Sequence, residues 1–150
     1  MTNLASILLL LLAVAPLAAA HCQPVAAEDG HHQSEAGPYD VAVDASALVD
    51  AALSRASAED KRVVLIMGAN WCHDSRGLAK LLSTPRFADM LSGKYEVVLI
   101  DAGHPRRDDA SNMEIARRFG VDRLLGTPNV FVLSADGERL NEVEDVLSWR

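Results

Sequence analysis

The segment of this chain best suited to chemistry is Trp71-Cys72-His73-Asp74-Ser75, which follows the turn-forming Gly68-Ala69-Asn70 and an apolar run at residues 63–67. A cysteine at the point where a strand gives way to a helix is biased toward thiolate. The helix start supplies unpaired N–H groups and a partial positive charge, and both favour the anion. Moving a thiol from about 8.5 to about 7 raises its thiolate fraction at neutral pH roughly 16-fold. Lower intrinsic nucleophilicity takes back roughly 4- to 6-fold, leaving a gain in attack of about 3- to 4-fold. The lowered value also makes the sulfur a better leaving group, so mixed disulfides on Cys72 turn over easily. Ser75, one helical turn on, can donate a hydrogen bond to the thiolate but cannot attack a disulfide. An external thiol must therefore resolve any adduct, which leaves monothiol chemistry: isomerisation, glutathione-linked exchange or capture of a client thiol.

Other readings of these residues stay open. A free cysteine packs like a small hydrophobe, so an inert buried Cys72 is the plain alternative. Trp71 reads equally as core or as a lid beside the thiol. Protonated His73 would favour the thiolate and Asp74 would oppose it, while both also suit a solvated first turn.

The elements that must position the motif are readable from periodicity. Residues 63–67 form a continuous apolar run rich in β-branched side chains, the pattern of a buried central strand. Before it, Asp44 or Ser46 can cap a helix carrying Leu48, Val49, Ala52 and Leu53. Val41 and Val43 suggest a short edge strand. After it comes a helix through Leu78, Leu81 and Leu82, bent or restarted at Pro85 and continued by Phe87, Met90 and Leu91. Residues 95–100 read as a second buried strand leading to Asp101, and residues 103–111 as a polar loop in which Arg106-Arg107-Asp108-Asp109 is solvated. Asn112 caps a short helix with Met113, Ile115, Ala116 and Phe119, stopped by Gly120. Residues 130–133 form a third strand, Ala135-Asp136-Gly137 a hairpin turn, and residues 139–143 its antiparallel return. Alternating strands and helices followed by a hairpin predict an α/β fold with a mixed sheet.

The chain has 150 residues, enough for one domain. Its net charge of −7 argues against a nucleic-acid partner, which would want a basic patch. Residues 1–20 carry no charged side chain and end in Ala18-Ala19-Ala20, which reads as a secretory signal peptide. Residues 21–39 are polar and aperiodic and read as a flexible tether, with residues 40–150 as the folded domain. His21, Cys22, His31 and His32 lack the ligand spacing of a zinc site, so no metal is expected. Two cysteines are too few for a disulfide scaffold, and export places them where disulfides persist. Cys22 is the candidate second thiol if its segment folds back, and a candidate lipid attachment point after the small-residue run.

Taken together, residues 40–146 resemble the thioredoxin superfamily. The resemblance rests on the strand, the Trp71-Cys72 pair at a helix start, the short helix ending in Phe119-Gly120-Val121, the Thr127-Pro128 dipeptide and the Asp136-Gly137 hairpin. It implies a thioredoxin-like mixed sheet flanked by helices, with Cys72 as attacking thiol and Pro128 as a cis-proline facing it. It also implies that the Thr127 backbone is free to pair with an extended substrate. Three positions depart from the family pattern. Ser75 replaces the second cysteine, Ile66 stands where many members keep a buried acid, and the last helix is short or missing, so that either the sequence is a truncated version or part of one sheet face is uncovered.

The expected protein is thus an exported monothiol factor for thiol–disulfide exchange or isomerisation. Cys72 and Ser75 are its catalytic pair, and Trp71, His73, Thr127 and Pro128 contact the substrate. No cofactor is expected. Its partners would be client protein thiols or disulfides, glutathione or a redox partner protein. A membrane would be involved only through a lipidated Cys22 or a retained signal. The alternative from the same residues is a redox-inert thioredoxin-fold binding or chaperone module.

Overall fold

The computed structural model describes residues 37–149. Residues 1–20, most of the expected tether and Cys22 lie outside the described residues. The organising element is β1 (Arg62–Gly68), whose side chains are almost entirely buried after Arg62. It pairs in parallel with β2 (Tyr95–Asp101) from Arg62↔Tyr95 to Gly68↔Asp101. On its other side it pairs antiparallel with β3 (Asn129–Leu133), from Val63↔Leu133 to Met67↔Asn129. The sheet is therefore three-stranded and mixed, in the order β2-β1-β3. A strand covered on both faces needs apolar side chains at successive positions, which is why residues 63–67 do not alternate.

Strand alternation divides the core in two. Val63, Leu65 and Met67 of β1 join Val98, Ile100, Phe131 and Leu133 against the helix α1 (Ala45–Ala58), which offers Val49, Ala52 and Ala56. Asp44 caps α1, its carboxylate accepting from the Ala47 amide at 3.0 Å. On the other face Ile66 and Val130 pack with Tyr39 and with Ala79 of α2 (His73–Leu82). Pro85 starts a separate helix, α3 (Pro85–Ser92), because the residue before a proline is driven to extended geometry, and Thr84 adopts it. This second face is less completely covered. Val97 is 39% exposed, and an apolar groove bounded by Ala79, Leu82, Leu91, Val97 and Leu99 runs beside it.

The short helix α4 (Met113–Arg118) ends at Gly120, whose φ of +77° is the left-handed turn that suits glycine. Its first cap differs from expectation. Asn112 holds the cap position with φ +55°, but its side chain turns back to donate to the Asp101 carbonyl at 2.9 Å.

Two strands expected from the sequence do not form. Val41 and Val43 lie in an exposed turn, where the Asp40 carboxylate accepts from the Ala42 amide at 2.9 Å and bends the chain before it can pair. The hairpin turn at residues 135–137 is present, with Gly137 at φ +81°, but its return strand is reduced to one bridge, Leu133↔Arg139. Beyond it a side chain replaces the strand: Asn141 accepts from the Val132 amide and donates to the Val130 carbonyl, both at 2.9 Å. Residues 143–146 then form a single helical turn, α5 (Val143–Val146), which buries Val146 against the α1 face. No helix among the described residues is long and apolar enough to cross a membrane.

Because the Asn141 amide stands in for a ladder partner, Asn141→Ala should leave two backbone groups of β3 short of a partner. The expected loss is about 1–3 kcal/mol. It would be read as a lower urea midpoint at unchanged slope.

Candidate active site

The site begins where β1 turns into α2. The Cys72 amide donates to the Ala69 carbonyl at 3.1 Å and closes a tight turn. Asn70 fixes that turn from the side. Its Oδ1 accepts from the Tyr39 amide at 3.1 Å and its Nδ2 donates to the Tyr39 carbonyl at 2.6 Å. Arg76 reaches back from α2 to donate to the Asn70 carbonyl at 2.6 Å. Tyr39 itself is fully buried, and its hydroxyl donates to the Ser75 carbonyl at 3.1 Å. It thus clamps the active turn on both sides of Cys72. The clamp requires Gly68, since a Cβ there would stand 2.4 Å from the Tyr39 ring. Burial pushes the Tyr39 phenol up to about 12, so it remains a neutral donor at ordinary pH.

Cys72 is the N-cap of α2, with extended φ −81° and ψ 121°. Its carbonyl opens the helix by accepting from the Arg76 amide at 3.1 Å. Cys72 is 9% exposed, and its sulfur donates as a thiol to the Thr127 carbonyl at 3.3 Å. The Thr127–Pro128 peptide is cis, as the resemblance implied. Two buried side-chain oxygens among the described residues have no hydrogen-bond partner, Ser75 Oγ and Thr127 Oγ1. Both bear on this sulfur. Burial by itself pushes the Cys72 thiol up, but the Ser75 and Thr127 side chains and the amides of Ser75 and Asp74 outweigh it. The thiol ends below the ordinary value of 9.0. The unpaired hydroxyls and the lowered thiol have one cause, because an ionised Cys72 is the acceptor those hydroxyls lack.

The other expected site residues fall at different distances from the sulfur. Trp71 is not core. It is 51% exposed, stacks on His104 with ring centroids 4.4 Å apart, and donates from Nε1 to the Gly103 carbonyl at 2.9 Å. His73 is turned to solvent and pairs with Asp74 at 3.2 Å, so the thiolate is stabilised by hydroxyls and amides rather than by an imidazolium. Pro128 is buried next to Thr127. Ile66, at the position of the family's buried acid, packs among Tyr39, Ala79 and Val130. The buried carboxylate of this end of the sheet is instead Asp101, at the end of β2. Burial raises its pKa against the Gly103 amide, which donates to it at 3.0 Å.

Sequence reasoning missed Tyr39 and His104. Tyr39 is the last residue of the expected tether, yet it belongs to the core, and its aromatic ring in a polar stretch was the one available sign. His104 sits in a loop with no periodic signature.

The chain belongs to the thioredoxin-like family, whose sequence profile matches residues 44–135. A disulphide isomerase from Xylella fastidiosa Temecula1 is 32% identical, covering 73% of this chain and 80% of its own, with a TM-score of 0.64. The oxidised C-terminal domain of Neisseria meningitidis DsbD is 25% identical over 71% of this chain and 93% of its own, at a TM-score of 0.47. A putative disulphide-isomerase from Bacteroides thetaiotaomicron is 19% identical over 66% and 81%, at 0.45. No curated protein matches the chain.

A thiol with a folded pKa below its unfolded value of 9.0 contributes stability that is complete above pH 9 and is lost as pH falls through the folded value. Ser75→Ala removes both an unpaired buried hydroxyl and a donor to the thiolate. The variant should be no less stable than the wild type at about pH 6 and less stable at about pH 9. Its Cys72 alkylation profile should shift to higher pH.

Proposed function

We propose that this protein is an exported monothiol factor that exchanges or isomerises disulfides through Cys72. The observation that carries the reading is the pair of buried hydroxyls, Ser75 Oγ and Thr127 Oγ1, left without partners beside a thiol of lowered pKa. The 32% identity to a disulphide isomerase supports the same class of chemistry.

Ionised Cys72 attacks one sulfur of a client disulfide in line. A bond forms between Cys72 and that sulfur, the client S–S bond breaks, and the second client sulfur leaves as thiolate. Ionisation also removes the proton that the sulfur shares with the Thr127 carbonyl, which frees that carbonyl to accept from an extended client strand. A second thiolate, from the client or from glutathione, then attacks the client sulfur and expels Cys72. Attack and expulsion leave the protein unchanged: with a client thiolate the net reaction is a rearrangement of client disulfides, and with glutathione it is a client–glutathione mixed disulfide plus a free client thiol. Ser75 holds the thiolate in both steps and cannot resolve the adduct. The uncharged leader at residues 1–20 supports export to a periplasmic or extracellular setting.

Cys72→Ala should abolish exchange in a glutathione-coupled assay, and wild-type Cys72 should be half-alkylated below pH 9.0. With glutathione disulfide, the wild type should accumulate one glutathione adduct by mass spectrometry. Ser75→Cys should not, because the introduced thiol displaces glutathione and closes an internal disulfide. Half-alkylation at or above the ordinary value, with no adduct, would make the chain a redox-inert binding module.

A further inference from the structure

A cleft of about 380 Å³ opens beside the candidate thiol, lined by Trp71, His104, Pro105, Arg106, Arg107 and Gly126. Trp71 precedes Cys72, and Gly126 precedes the residue whose carbonyl meets its sulfur, so the cleft flanks the approach to the sulfur. Its outer wall is the loop after β2, and that loop is held in shape. Gly103 and Ala110 pair across its base, Ser111 donates to the Ala102 carbonyl at 3.0 Å, and the Arg107 amide donates to the His104 carbonyl at 2.8 Å. Gly103 adopts φ +56°, and a Cβ there would stand 2.2 Å from the Asp109 carbonyl oxygen. The loop therefore carries Arg106 and Arg107 on a stapled turn.

The charges around the cleft are unevenly used. Asp109 lies 2.8 Å from the His104 imidazole, and Asp74 3.2 Å from that of His73. Arg106 and Arg107 have no ion-pair partner among the described residues, although Asp108 and Asp109 share their turn. On a chain of net charge −7, two guanidiniums without an ion-pair partner beside a nucleophile are free to pair with an incoming carboxylate. The Trp71–His104 stack gives the cleft a flat aromatic wall against which a peptide segment can lie.

We infer that Arg106 and Arg107 select clients whose disulfide is flanked by carboxylates, the Trp71–His104 stack bearing the client segment while the guanidiniums hold its acidic side chains. The inference rests on the exchange reading of Cys72 and adds the substrate class. Guanidinium is the cation suited to this task, since its planar fork matches a carboxylate.

The test compares three disulfide-linked peptides that differ only in flanking Glu, Gln or Lys. The wild type should exchange with the Glu peptide roughly 2- to 30-fold faster than with the Gln peptide, the range expected for two exposed ion pairs. The Lys peptide should be slowest, and the spread should narrow in high salt. Arg106→Glu combined with Arg107→Glu should reverse the order, which a merely misfolded variant cannot do. Equal rates in the wild type, or an order that survives the charge reversal, would overturn the inference. Non-covalent binding of the same peptides to Cys72→Ser, read by tryptophan fluorescence, separates the two readings. Preference for the Glu peptide there, without exchange in the wild type, keeps the acid-selecting cleft and removes the exchange chemistry. Exchange without charge preference does the reverse.

Discussion

A buried polar shortage governs this structure. Ser75 Oγ and Thr127 Oγ1 are packed away from water with no acceptor, a condition that costs about 1–3 kcal/mol per group. Around the same sulfur, the first amides of α2 have no side-chain cap. A neutral thiol satisfies one partner, the Thr127 carbonyl, and leaves the donors idle. A thiolate reverses the balance, releasing one carbonyl and engaging hydroxyls and amides. The low dielectric that raises a buried thiol also strengthens each of those hydrogen bonds, so the donors prevail over burial. No cationic side chain is needed, and His73 accordingly points to solvent.

Such a balance survives only if the donors cannot turn away, and the fold supplies the restraint from three directions. β1 delivers Cys72 from a strand buried on both faces. β3 delivers Thr127 from the opposite side, through a buried segment in which Asn129 donates to the Gly126 carbonyl at 2.7 Å. Tyr39 closes the third side by gripping Asn70 and Ser75 together. Ile66 fits this scheme. The acid position is filled by an apolar side chain in the Tyr39 cluster, and the neutral Tyr39 phenol braces the turn.

Much of this was legible in the sequence because it is local or periodic. The apolar run of β1, the Asp44 cap, the break at Pro85 and the stop at Gly120 each follow from a few neighbouring residues, and all are found. So is the thioredoxin-like mixed sheet with a short last helix. What could not be read is carried by side chains that meet backbone far away in sequence. Asn70 and Tyr39 are 31 residues apart, and Tyr39 and Ser75 are 36. Asn141 replaces a strand that the hairpin signal at Asp136-Gly137 promised, since a single amide satisfies both backbone groups that the return strand would have paired. Val41 and Val43 have strand propensity, but Asp40 bends the chain first. Burial of the thiol was also hidden, because a helix start by itself gives no measure of how far the flanking loops close over it.

Serine at position 75 unites the electrostatics with the kinetics. A cysteine there would be a second nucleophile, able to empty the mixed disulfide from within. The hydroxyl stays a donor whatever the redox state, so it favours the Cys72 thiolate both before attack and as leaving group. In the proposed exchange the adduct is then easy to expel, while among the described residues Cys72 is the only thiol, and the adduct's lifetime is set by how soon another thiolate arrives. A client held through a long adduct benefits from contacts beyond the sulfur, because they bias which of its own cysteines performs the release. The cleft beside Trp71 is placed to supply such contacts, with its walls fixed by the Gly103–Ala110 staple rather than by the client. The proposed exchange thereby divides recognition and release between different parts of the molecule: the loop after β2 is placed to hold the chain of a client, and Ser75 and Thr127 to govern only its sulfur.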